Sequence, residues 1–103
     1  MKIMLPLGGS SQSQKVLAYS KILAERWNAE IVLLRAVDPL ASKSLQQEIL
    51  RAAQEYLQDQ AQQLPHVSTR AVSLVGPARE VIRAQAVREK CDLIMFAPHA
   101  YGR

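Results

Sequence analysis

One cysteine, one tryptophan and one phenylalanine are all that this 103-residue chain holds of those residue types. A lone cysteine closes no internal disulfide, so Cys91, set just before an apolar run, is expected to pack and not to carry redox chemistry. The two histidines, His66 and His99, are far apart in sequence. No grouping of cysteine, histidine and carboxylate has metal-ligand spacing, and no metal site is expected. His66 follows a proline at a helix end and reads as a surface residue. No apolar run reaches the roughly 18 residues of a membrane span, and the first residues lack the charged, apolar and small-residue order of a signal peptide. A cytoplasmic protein without membrane insertion is therefore expected. Four glycines and five prolines leave no low-complexity linker, and no internal repeat is present.

What is there is ordinary globular material: 49% hydrophobic and 21% charged residues, enough for one domain spanning 1–103 with a modest core. The net charge of +4 is uneven, because residues 66–103 carry +3 and residues 41–65 carry −1. Arg79 and Arg83, four apart, share a helix face. No aromatic residues interleave with them, so that face reads as solvated and no nucleic-acid partner is expected.

Apolar runs and breakers alternate along the chain. Lys2 to Leu7 reads as a strand closed by Gly8-Gly9-Ser10, and Ser10 or Ser11 caps a helix that stops at Asn28. That helix repeats Val16, Leu17, Ser20, Leu23, Ala24 and Trp27 on one stripe. Glu30 to Val37 is too short for a core helix and reads as a buried parallel strand, ended by Asp38-Pro39. A long amphipathic helix follows over about 40–64, with Leu45, Ile49, Ala53, Tyr56, Leu57 and Leu64 on its apolar side, Ser44 and Gln47 as an internal cap, and Pro65 as its end. Val67 to Leu74 is half polar, which suits a sheet edge. Gly76-Pro77 opens a third helix with proline at the first helical position and Val81, Ile82, Ala86 and Val87 as its buried face. Leu93, Ile94, Met95 and Phe96 then form a final strand covered on both faces. Repeated strand–helix–strand units imply right-handed crossovers and a doubly wound, three-layer α/β/α domain with a parallel sheet.

Four segments in fixed order sharpen this. Lys2-Ile-Met-Leu-Pro-Leu-Gly-Gly-Ser10, Ala29-Glu-Ile-Val-Leu-Leu-Arg-Ala-Val-Asp-Pro39, Val75-Gly-Pro-Ala-Arg-Glu-Val-Ile82 and Asp92-Leu-Ile-Met-Phe-Ala-Pro-His99 together resemble the universal stress protein family over essentially the whole chain. The resemblance implies the adenine nucleotide alpha hydrolase-like fold. It implies strand order 3-2-1-4, continued by a fifth strand in the family but absent here, so that the chain is expected to be truncated at its C-terminus. Nucleotide-binding members carry an aspartate at the end of the first strand and a glycine-rich motif after the fourth. Here Gly8 stands at the aspartate position, Ala97 and Ala100 stand at the first two glycines, and the third would lie beyond Arg103.

The resemblance places nucleotide-binding candidates at Gly8, Gly9, Ser10, Ala36, Gly76, Ala97, His99 and Ala100. The chemistry behind such a site is close backbone approach to phosphate and a helix N-terminus that favours an anion. Losing the aspartate removes a charged acceptor worth about 1.5–3 kcal/mol. The expected function is therefore a non-catalytic stress-response or regulatory module. It acts through self-association and an unidentified protein partner, with no required cofactor and with ATP binding weak or lost. One alternative is an adenine-nucleotide sensor or weak ATPase using ATP or AMP with magnesium. Another is a regulatory domain of a membrane transporter. Self-association is expected through the edge formed by Leu93, Ile94, Met95 and Phe96, which no proline or lysine interrupts, or through the surface a further helix would cover. Receiver-type and dinucleotide folds fit worse, because Leu7-Gly8 and Leu74-Val75 lack the acidic residues of the first and Gly8-Gly9-Ser10-Ser11 lacks the glycine spacing of the second.

Overall fold

The computed structural model describes residues 1–8 and 12–96. Four strands and three helices alternate: β1 (Lys2–Pro6), α1 (Gln12–Trp27), β2 (Glu30–Val37), α2 (Lys43–Ala61), β3 (Thr69–Val75), α3 (Ala78–Arg88) and β4 (Leu93–Ile94). The sheet is parallel in every pair, with order β3-β2-β1-β4. Both the fold class and the strand order expected from the sequence are borne out.

Side chains that alternate along a strand feed two cores, one on each face of the sheet. Ile3, Leu5, Leu7, Ile31 and Leu33 point to one face and pack with Val16, Leu17 and Ala24 of α1 and Leu57 of α2. Met4, Val32 and Leu34 point to the other face and meet Val81, Ile82 and Ala86 of α3, with Cys91 and Ile94 alongside. This is why Ile3 to Leu5 of β1 and Ile31 to Leu34 of β2 read as unbroken apolar runs: each of these residues is buried, whichever face it takes. Two helices cover the first face and one covers the second, where Met4 of β1 is still fully buried and Ile94 of β4 is half-buried.

Several element ends differ from the sequence expectation. α2 begins at Lys43, because Ser42 adopts an extended conformation and its hydroxyl accepts from the Leu45 amide at 3.3 Å; Ser44 lies inside the helix. Pro77 is the residue before α3 and not its first helical position. Val87 is 74% exposed, and Trp27, Leu45 and Ile49 are exposed as well, so the buried stripes of all three helices are narrower than their apolar patterns. β3 takes the expected edge position, and its polarity has a partner: Ser73 Oγ donates to Gln54 Oε1 at 3.0 Å, while Gln54 Nε2 donates to the Ala71 carbonyl at 2.9 Å.

The final strand is two residues long where four were expected. The carbonyls of Lys2 and Met4 accept from Asp92 and Met95, so the even positions of β1 face β4. Pro6 is the next even position. It has no amide proton to give, and the ladder ends after Ile94. Leu93 and Met95 pack against the first core and Ile94 against the second, all three half-buried, while Phe96 is 58% exposed.

Candidate functional site

Crevices form where strands end and loops diverge, and here the larger crevice lies at the carboxyl ends of β1, β2 and β4. It is a groove of about 850 Å³ on the second face of the sheet. Pro6, Leu7 and Gly8 of β1 and its extension, Leu34 and Ala36 of β2, and Ile94 and Phe96 form one side. α3 forms the other with Ala78, Arg79, Ile82, Arg83, Ala86 and Val87. α3 reaches this position because Gly76 turns the chain at φ +146° as it leaves β3, with its amide donating to the Val37 carbonyl at 2.9 Å.

The groove is apolar along its floor and cationic along its α3 side. Arg79 and Arg83 lie one helical turn apart and are both exposed. No carboxylate lines the groove among the described residues, and the ion pairs found there use Lys2, Arg70, Glu30 and Glu89 instead. Arg35 also borders the groove, but its guanidinium sits 4.9 Å from the Tyr56 ring centroid, against α2 on the far face. The free cations of the groove are therefore those of α3. Such a surface suits a ligand with an apolar or aromatic body and one anionic group.

The opposite end of the sheet is closed by charge. Glu89, at the end of α3, accepts from Arg70 and, at 3.0 Å, from Gln85, and lies 3.6 Å from Lys2 Nζ. The Arg70 hydrogen bond is the main cause that holds the Glu89 carboxyl below its usual range. Burial pushes the neighbouring Cys91 thiol up, which keeps it protonated and poorly nucleophilic, as expected of a packing cysteine. A smaller cleft of about 370 Å³ lies at this end too, and His66 lines it in an exposed position.

Of the candidates named from sequence, Gly8 and Ala36 line the groove, and a Cβ built on Gly8 would meet nothing within 4 Å. Gly76 is set apart as the turn into α3. Gly9, Ser10, Ala97, His99 and Ala100 lie outside the described residues. The sequence suggests a solvated face for Arg79 and Arg83; it shows their i, i+4 spacing but not which flank of α3 lines the groove.

Comparison with known proteins supplies the remaining findings. The universal stress protein family matches residues 1–103. The universal stress protein UspA from Lactobacillus plantarum superposes with a TM-score of 0.79 at 20% identity, covering 99% of this chain and 80% of that one. A universal stress protein family protein from Arabidopsis thaliana with AMP bound gives a TM-score of 0.70 at 16% identity, covering 99% and 79%. A universal stress protein in complex with cAMP gives 0.74 at 18% identity, covering 91% and 73%. No curated protein sequence matches the chain.

Proposed function

The chain belongs to the universal stress protein family, and from that premise we propose that it is a non-catalytic regulatory module whose groove takes a nucleoside monophosphate and whose output is self-association. One observation carries the ligand half of this reading: an apolar groove with the Arg79 and Arg83 guanidiniums along one side and no carboxylate in its described lining. A flat base or ribose fits the apolar floor, and a single phosphate fits two guanidiniums one turn apart. Relatives of this fold with AMP and with cAMP bound support the same ligand class.

Magnesium–ATP fits less well. A triphosphate brings a divalent cation that prefers carboxylate and water oxygens, and the described lining offers guanidiniums. Leu7 and Gly8 close β1 without the aspartate that the family resemblance would place there. The described lining supplies binding groups and no general base, which favours a binding role over hydrolysis.

Calorimetric titration tests the ligand. AMP without metal should bind with a dissociation constant in the range of about 10 µM to 1 mM, and ATP with magnesium should bind no tighter than about 10 µM. Tighter ATP binding, or none by AMP at millimolar concentration, would refute it. Self-association rests on β4 standing at the edge of the described sheet with Phe96 exposed beside it, and light scattering across the micromolar range reads it: a strict monomer removes that half of the proposal.

A further inference from the structure

β3 forms one edge of the sheet and β4 the other, so the chain that follows residue 96 leaves from the side away from β3. β3 is seven residues long, about 23 Å, and contains neither proline nor lysine. The Ile31 amide donates to the Ser68 carbonyl and the Gly76 amide to the Val37 carbonyl, so the even positions of β3 face β2. Thr69, Ala71, Ser73 and Val75 therefore turn their amides and carbonyls outward. Among the described residues those four amides meet no backbone acceptor. One outward carbonyl is taken: Gln54 of α2 reaches to the edge, and its Nε2 donates to the Ala71 carbonyl at 2.9 Å. A side-chain amide there stands in for the amide of a neighbouring strand.

The borders of this edge are cationic. α2 runs antiparallel to β3, with the Leu50 carbonyl 3.4 Å from Ser73 Oγ and Gln54 beside Ala71. Arg51, three residues before Gln54, shares its side of α2, whereas Glu48, Glu55 and Asp59 are rotated about 100° or more away from Gln54. On the other face Val81 abuts Gly76 where β3 ends, and Arg88, seven residues on, lies on the same side of α3. That side is turned from the groove. Arg51 and Arg88 are both exposed and have no ion-pair partner among the described residues. Val72 and Leu74 of β3 are half-buried on the α3 face and offer apolar surface beside the edge.

We infer that the edge of β3 takes an extended segment of a partner protein as an added strand, acidic where it passes Arg51 and Arg88 and apolar where it lies beside Val72 and Leu74. Main-chain hydrogen bonds to the outward groups of β3 hold the segment, and its side chains at alternate positions supply the selection. The two arginines discriminate against basic segments. This surface is independent of the groove and of self-association through β4.

A fluorescein-labelled nine-residue peptide of alternating valine and glutamate tests it, beside a counterpart with lysine for glutamate. In fluorescence anisotropy the glutamate peptide should bind with a dissociation constant between about 10 µM and 1 mM. The lysine peptide should bind at least about tenfold more weakly, and Arg51→Glu/Arg88→Glu should reverse that preference, with thermal melts confirming an intact fold. N-methylation of two alternate peptide amides should abolish binding when they lie on the edge that faces β3 and change it by less than about threefold when they lie on the other. Hydrogen exchange followed by NMR locates the contact: the amides of Thr69, Ala71, Ser73 and Val75 should slow on adding the glutamate peptide, while that of Gly8 should not. No binding at about 1 mM, equal sensitivity to both methylation patterns, or no slowing along β3 would overturn the strand-addition site. A charge preference that the double variant leaves unchanged would overturn the choice of an acidic partner.

Discussion

Gly76 and Glu89 occupy the two ends of α3 and show how single residues fix the wall of the groove. At Gly76 the φ of +146° lies where side chains are strained, and a Cβ there would approach Val81 Cγ2 to 2.8 Å. Gly76→Ala should therefore cost about 1–3 kcal/mol in urea denaturation, while Gly8→Ala, with open space around it, should stay within about 0.5 kcal/mol. Glu89 answers to pH. Its carboxyl titrates below the usual 4.5 in the folded protein, so its stabilisation is complete above that value and is lost as pH falls through the lowered one. Denaturation curves of Glu89→Gln should show lower stability at neutral pH than the parent and a smaller further loss between about pH 5 and pH 3. An unchanged pH slope would show that the Arg70 and Lys2 contacts contribute nothing.

At the scale of the element, helix ends were harder to read than helix existence. The C-terminus of α3 closes by two backbone bonds, Lys90 N–H to the Val87 carbonyl at 3.1 Å and Cys91 N–H to the Ala86 carbonyl at 2.9 Å, with Lys90 itself at φ +56°. α1 ends alike: Asn28 stands at φ +52° and Ala29 N–H donates to the Ala24 carbonyl at 2.9 Å. Asparagine at such a position was legible as a stop. Lysine was not, because nothing in its chemistry favours a left-handed backbone. Lys90→Gly should accordingly raise the melting temperature, by about 0.5–1 kcal/mol of stability. β2 was readable residue for residue, since six of its eight residues are apolar, four of them in the unbroken run Ile31 to Leu34, and Asn28 and Asp38 bound it. The shortness of β4 was not, because its cause, Pro6, lies 88 residues before Ile94 on the strand beside it.

For the whole molecule, class and strand order were visible in the alternation of apolar runs and helical periods, and half of the candidate site was not. Gly8 and Ala36 came from the family pattern. Arg79 and Arg83 became part of a groove only once α3 was seen to form its side. The two cores share one sheet, Leu33 facing one and Met4 the other. Leu33→Ala and Met4→Ala should each lower stability by about 2–5 kcal/mol within a single cooperative transition. Two separable transitions for either variant would show that the faces melt independently.

The order of the sheet also sets a timetable. β1 is made first yet lies inside the sheet, and its amide at Lys2 pairs with Asp92, a partner 90 residues later. During synthesis β1 and β2 can join early, through the α1 connection, but one flank of β1 waits until Asp92 to Ile94 have emerged. Until then the nascent protein presents a half-paired apolar strand, and that interval is when it is most in need of protection by a chaperone.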